Sequence, residues 1–227
     1  MRLAAWFGYI IIAAGYQSVS AYAQSLDDSL RVYAVNVVKT PPFVKQVTGY
    51  GIYLGQGRAI TAAHVVGNWP FFTHPRMLIG GLDLPAKVIK EGSVEQTDLA
   101  LLSVDEERLP ISLRLRRNPL CKDPPQIGTN VIIVYPEKTA RSRIISPGLI
   151  PPQYRGRFSS LIAEAQGSGA GVFRADRKCF LGIISSKISK YGYRELNGSI
   201  VLEENGFAGY FVPASTIADF IPPEFRF

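Results

Sequence analysis

Tyr50-Gly51-Ile52-Tyr53-Leu54-Gly55-Gln56-Gly57-Arg58-Ala59-Ile60-Thr61 sets two β-rich runs on either side of a Gly-Gln-Gly turn. Aromatic and branched residues suit a pleated, half-buried surface, and glycines supply the backbone freedom a tight connection needs. The segment reads as a β-hairpin. Similar short runs recur along the chain: Val32–Val38, Met77–Ile79, Ala86–Lys90, Leu99–Val104, Asn130–Tyr135, Arg143–Ile145, Leu161–Ala165, Gly171–Phe173, Phe180–Ile184, Ser199–Leu202 and Tyr210–Val212. Strands repeating about every ten residues between turn signals predict an all-β sandwich or barrel. One helix of any length is expected, near the end. Pro213 or Ser215 can open it, Ile217, Phe220 and Ile221 share a face, and Pro222-Pro223 stops it.

Of the 227 residues, 47% are hydrophobic and 19% charged, enough for a core and too little charge for a disordered chain. The 21 Gly and 16 Pro are scattered, which excludes a collagen-like or low-complexity protein. Only the N-terminus carries a long apolar run, so a multi-span membrane protein is excluded too. There Arg2 is the only charge before Ala23, an apolar stretch runs from Leu3 to about Tyr16, and Ser18-Val19-Ser20-Ala21-Tyr22-Ala23 spaces small residues for cleavage. Residues 1–23 read as a signal peptide cut after Ala23; the alternative is an uncleaved anchor, for which the apolar core is short. A periplasmic or secreted protein is expected, with no stable membrane span once the signal is removed. Residues 24–227 then form one domain.

The formal net charge is +7. Its densest patch, Arg114, Arg116 and Arg117, follows the alternating stretch Ile111-Ser112-Leu113-Arg114-Leu115-Arg116, which reads as the wet face of a half-buried strand. No interleaved aromatics or zinc module accompany it, so no nucleic-acid partner is expected. In an oxidising compartment the two cysteines, Cys121 and Cys179, can pair. Neither lies in a C-x-x-C motif, so redox catalysis and a thiolate zinc site are unsupported. With only two histidines, a His-rich metal site is excluded, and no metal or cofactor is expected.

Three segments carry candidate chemistry. Ala59-Ile60-Thr61-Ala62-Ala63-His64-Val65-Val66 presents a histidine after small residues that allow a tight turn at a strand end. Gln96-Thr97-Asp98-Leu99-Ala100-Leu101-Leu102 sets an acid before an apolar strand. Gln166-Gly167-Ser168-Gly169-Ala170-Gly171-Val172-Phe173 holds a serine among small residues before another strand. Each alone has a plain structural reading: a core histidine, a turn carboxylate, a flexible loop. Together, in the order His, Asp, Ser, they resemble the chymotrypsin-fold (trypsin-like) serine peptidases, and among these the compact bacterial protease domains of the Deg/HtrA group. The resemblance runs from about Val35 to Ile221. Ile127-Gly128-Thr129-Asn130-Val131 is similar to the strand leading into the family's second barrel. Gly182-Ile183-Ile184-Ser185 is similar to the strand beside the nucleophile. Gly209-Tyr210-Phe211-Val212-Pro213 and the segment after it are similar to the last strand and closing helix.

The resemblance implies two six-stranded antiparallel β-barrels with a short C-terminal helix and an active site between the barrels. It implies an exported serine endopeptidase acting on protein or peptide substrates through an acyl-enzyme. Ser168 would be the nucleophile, His64 the general base and acid, and Asp98 the orienting carboxylate. The backbone N–H groups of Gln166 and Ser168 would form the oxyanion hole. Counting back from Ser168 sets Ile162 at the base of the primary specificity pocket, with Ser185 on its wall. An apolar floor implies preference for small or medium apolar side chains and not for Arg or Lys. Two departures stand out. Gln166 replaces a family glycine, which implies strain if the backbone there is glycine-like, unless Gly167 next door absorbs the change. Gly167 stands where trypsin-type zymogens carry an acid, so no activation cleavage of that kind is expected. A PDZ domain, usual in the Deg/HtrA group, is also not expected. The alternative function is a catalytically weak or inactive protein of this fold acting as a protein-binding module.

Overall fold

The computed structural model describes residues 27–39, 46–67, 74–146, 148, 160–196 and 199–225. The expected signal peptide lies outside the described residues. The first half contains β1 (Ala34–Lys39), β2 (Val47–Gly55), β3 (Arg58–Thr61), β4 (Arg76–Ile79), β5 (Leu82–Pro85), β6 (Lys87–Glu91) and β7 (Ala100–Ser103). They form one antiparallel sheet in the order β5-β4-β1-β2-β3-β7-β6. The predicted hairpin is β2–β3, with Gly51 opposite Thr61 and Ile52 opposite Ile60. Its turn uses the left-handed region three times in succession, at Gly55, Gln56 and Gly57. The sheet has seven strands where six were expected, because Leu82–Pro85 pairs with β4. Only Ala86 separates β5 from β6, so the two edge strands of the sheet are consecutive in the chain. That connection curls the sheet towards a barrel, although its edges are not paired to each other.

The second half is a closed barrel: β8 (Asn130–Val134), β9 (Thr139–Ile145), β10 (Leu161–Ala163), β11 (Gly171–Arg174), β12 (Phe180–Leu196) and β13 (Ser199–Pro213), in the order β10-β13-β12-β11-β8-β9. The runs Ser199–Leu202 and Tyr210–Val212 prove to be parts of one long strand. Lys190 faces Gly206 and Tyr191 faces Glu204, so Asn205 is taken up in a bulge. The Asn-Gly pair that signals a turn therefore kinks a ladder without ending it.

Short helices accompany the strands, among them α1 (Ala63–Val66), α2 (Ile111–Arg114) and α3 (Ala214–Phe220). The strand expected at Ile111–Arg116 is instead the single turn α2. Pro110 opens it, the N–H groups of Leu113 and Arg114 donate to the Pro110 carbonyl, and only Leu113 turns inward. Ile111 and Leu115 stay exposed, so the alternation had no sheet to join. The C-terminal helix α3 buries Ile217 and Phe220 as expected. Lys90 on β6 donates to the Phe220 carbonyl at 2.8 Å, tying the helix back to the first sheet.

One core spans both halves. Ile52, Ile60, Leu101 and Leu102 share it with Ile132, Phe173, Phe180 and Ile183, all within 1% of full burial. Each such side chain contributes about 1.5–3 kcal/mol. Cys121 and Cys179 are disulfide-bonded, with Cα atoms 5.1 Å apart. The bond joins the segment leading into the second barrel to the residue before β12, where Cys121 N–H also donates to the Phe180 carbonyl at 2.8 Å.

Candidate active site

Small residues decide how His64 is held. Ala62 and Ala63 are fully buried, so the chain turns tightly from β3 into α1. Gly67, at φ +58°, ends the turn after one loop of helix. Lys39, itself buried, donates to the carbonyls of Val66 and Gly67 and so caps it. Burial also depresses the Lys39 pKa, against the nearby charge of Glu91. Ala63, Val65 and Val66 face the core, and the His64 side chain stays 36% exposed.

Asp98 meets it from just ahead of β7, the strand paired with β3. Its N–H donates to the Ser93 carbonyl at 3.0 Å, and its backbone sits at φ +46°, a region in which Asp is one of the tolerated residues. The carboxylate is 2% exposed and takes three donors. His64 N–H reaches Oδ1 at 3.1 Å, His64 Nδ1 lies 3.0 Å from both oxygens, and Ser185 Oγ donates to Oδ2. A carboxylate only accepts, so in the neutral imidazole Nδ1 carries the proton and Nε2 keeps its lone pair. The expected carboxylate–histidine contact thus exists, with Ser185 as its third partner.

Ser168 sits in a loop pinned to both halves. Its carbonyl accepts from Tyr50 N–H at 2.9 Å, and Gly169 N–H donates to the Ile184 carbonyl at 2.7 Å. Ile184 is followed by Ser185, and Tyr50 O accepts from Thr61 Oγ1 at 2.5 Å, three residues before His64. The three candidates are therefore anchored to overlapping partners. Ser168 Oγ, half-buried, makes no hydrogen bond to His64 in this structure. Among the described residues, neither Gln166 N–H nor Ser168 N–H donates a hydrogen bond.

The strain expected at Gln166 is absent. Its φ is not positive; Gly167 at +98° and Gly169 at +85° take the left-handed conformations instead. A Cβ on Gly169 would lie 1.8 Å from the Tyr50 carbonyl oxygen, so that close approach demands glycine. Gln166 is exposed, and its carbonyl accepts from Tyr135 OH at 2.7 Å.

The two expected pocket residues sit differently. Ile162 is fully buried on β10, opposite Gly209 and Ile144, inside the second barrel. Ser185 is 1% exposed, and its hydroxyl serves Asp98. Neither offers open surface here. Beside them Ala165 is fully buried, and a Cβ on Gly209 would meet its carbonyl at 2.8 Å. His74 is exposed and joins none of these groups. A cleft of about 540 Å³ between Arg117–Leu120 and Ala218, Asp219 and Ile221 is lined by none of the candidate residues.

Tyr50, Thr61 and Tyr135 were not singled out from the sequence. Their contacts are with backbone atoms distant in the chain, and a tyrosine at a strand end reads locally as core.

No protein-family model matches the chain, and no curated protein matches its sequence. Solved structures do match. The active form of the Rv3671c protease from M. tuberculosis superposes with a TM-score of 0.57 at 16% identity, over 87% of this chain and 82% of that one. The serine endoprotease from Yersinia pestis gives 0.54 at 19% identity, over 84% of this chain and 61% of that one. Kallikrein-related peptidase 10 in its Zn2+ complex gives 0.58 at 16% identity, over 86% of this chain and 96% of that one. The structural neighbours are thus HtrA-type and trypsin-like proteases, and the fold of this chain is the chymotrypsin-like all-β fold.

Proposed function

We propose that the chain is an exported serine endopeptidase working through His64, Asp98 and Ser168. The observation that carries this reading is the carboxylate of Asp98, buried and accepting both the backbone N–H and the ring Nδ1–H of His64. Such an arrangement fixes one imidazole tautomer and stabilises the imidazolium that forms on proton uptake. Ser168 Oγ would attack a peptide carbonyl while His64 Nε2 takes the hydroxyl proton. The C–N bond breaks as the imidazolium protonates the leaving amine, leaving an acyl ester on Ser168. Water, deprotonated by the same nitrogen, then attacks the ester and releases the acid, and the proton returns to Ser168. The unengaged N–H groups of Gln166 and Ser168 would receive the negative charge on the carbonyl oxygen; losing one such donor costs on the order of 3 kcal/mol in other enzymes.

Export is supported by the Cys121–Cys179 bond, which belongs to an oxidising compartment. Among the described residues no helix is long and apolar enough to cross a membrane. The sequence supports a preference for small or medium apolar side chains before the cleaved bond, since Ile162, and not a carboxylate, stands six positions before Ser168.

A second reading, a catalytically silent protein-binding module of the same fold, is favoured by the missing Ser168–His64 hydrogen bond. Such contacts are often long in unliganded enzymes and tighten with substrate. Incubating the purified chain with unfolded protein and sequencing the new termini separates the two. Cleavage after small apolar residues, lost in Ser168→Ala, supports the peptidase. Intact substrate supports the binding module, and dominant cleavage after Arg or Lys removes the proposed preference.

A further inference from the structure

Two tyrosines from opposite halves of the molecule close on the Ser168 loop. Tyr135 directly follows β8 and is 6% exposed. Its ring meets that of Tyr50 edge-on, with centroids 5.2 Å apart at 75°. Its hydroxyl donates to the Gln166 carbonyl at 2.7 Å. That carbonyl belongs to the Gln166–Gly167 peptide, which lies between the two peptides whose N–H groups would form the oxyanion hole. A Cβ on Gly167 would lie 2.9 Å from Tyr135 Cε1 and 3.1 Å from Tyr50 Cε2. The rings therefore fill the space that a side chain at position 167 would occupy.

The turn that carries Tyr135 is itself held. Tyr135 N–H donates to the Lys138 carbonyl at 2.9 Å, and Tyr50 OH donates to Glu137 at 3.1 Å. From the N-terminal segment, Arg31 donates to the Pro136 carbonyl at 3.0 and 2.8 Å through two nitrogens. Thr139 Oγ1 donates to Asp28 at 3.1 Å, and Arg141 pairs with Asp27 at 2.6 Å. A donor fixed this firmly adds little reorganisation when the reaction proceeds.

We propose that Tyr135 is a positioning residue for the oxyanion hole: its hydroxyl fixes the Gln166–Gly167 peptide and thereby the orientation of the Gln166 and Ser168 N–H groups. The inference rests on the peptidase reading. Tyr135 touches no reacting atom; it acts through the peptide it holds. Burial pushes its phenol up to about 12, so it remains an O–H donor across neutral and moderately alkaline pH.

The test compares Tyr135→Phe with wild type, using a chromogenic peptide substrate, a peptide boronate that mimics the tetrahedral adduct, and a thermal melt. Tyr33→Phe is the control, because Tyr33 OH also donates to a carbonyl, that of Arg117 at 3.2 Å, away from the Ser168 loop. Tyr135→Phe should lower kcat by about tenfold or more with KM within about twofold, weaken the boronate in proportion, and melt as wild type does. Tyr33→Phe should hydrolyse as wild type. Equal kcat in Tyr135→Phe overturns the inference while leaving the peptidase intact. So does a loss matched by a fall in folded fraction, or by a rise in KM alone. A folded wild type that neither hydrolyses the substrate nor binds the boronate overturns the peptidase reading and this inference with it.

Discussion

At the scale of single residues, the decisive feature is how much of the Ser168 loop is fixed by backbone contacts. Gly169 at φ +85° leaves 1.8 Å between a hypothetical Cβ and the Tyr50 carbonyl oxygen. Gly169→Ala should therefore unseat the loop and abolish turnover; a variant that retains wild-type kcat would contradict the geometry. Gln166→Gly should leave turnover unchanged, since the left-handed conformations already fall on its glycine neighbours. The Gln166 departure left two outcomes open in the sequence, strain at Gln166 or a shift of the special conformation to Gly167, and the fold takes the second. The two histidines separate as cleanly. His64→Ala should abolish hydrolysis and His74→Ala should spare it, because only His64 touches the buried carboxylate. Equal losses in folded protein would refute the assignment. The His64 and Asp98 segments were legible because their neighbours are small or apolar. Ser185 was legible as part of the strand beside Ser168 but not as a donor to Asp98, a contact that spans 87 residues of sequence.

At the scale of elements, most strands were readable from short β-rich runs, and the exceptions share a cause. Ile111–Arg116 alternates like a strand but has no partner to pair with, and Pro110 gives it a helical start instead. Leu82–Pro85 carries an Asp and a Pro and so hides a strand that its neighbour β4 recruits. Local propensity is overridden wherever the sheet supplies or denies a partner. The N-terminal segment behaves likewise. Asp27 carries no local signal, yet it is 2% exposed and pairs with Arg141 and Lys178 on the second barrel. Burial alone would raise its pKa; the hydrogen bonds and charges of Lys178 and Arg141 outweigh that and lower it below 3.8. A depressed carboxyl contributes stability that is fully present above its unfolded value and lost as pH falls through the folded one. Asp27→Asn should therefore lower the melting temperature at neutral pH, and the gap from wild type should close as pH falls below 3.8. A gap that persists unchanged at lower pH would show that the ion pairs are not its source.

At the scale of the whole molecule, one hydrophobic cluster bridges the two sheets, and the candidate groups lie on both sides of their junction. Asp98 and His64 come from the first half, Ser168 and Ser185 from the second, so assembly of the site requires docking of the halves. The disulfide ties the segment between the halves to the second barrel across a sequence separation of 58 residues. Closing a loop that long stabilises by roughly 4 kcal/mol in the chain-entropy account. Reduction should lower the melting temperature while kcat below the transition stays the same, and a loss of kcat in still-folded reduced protein would show that the bond shapes the site. The all-β class was legible because strand spacing survives any error in individual ends, whereas the division into two barrels came only with the resemblance to the trypsin-like peptidases. The seventh strand of the first sheet, and edges that do not pair with each other, were not legible, since they depend on which strands the sheet recruits. The central claim is that Ser168 is a nucleophile activated by His64. Its most direct test is reaction of the folded chain with a fluorophosphonate, followed by peptide mapping of the adduct. The account predicts one adduct, on Ser168, absent from Ser168→Ala and His64→Ala. Folded wild-type protein that stays unmodified, or an adduct on another residue, would contradict it.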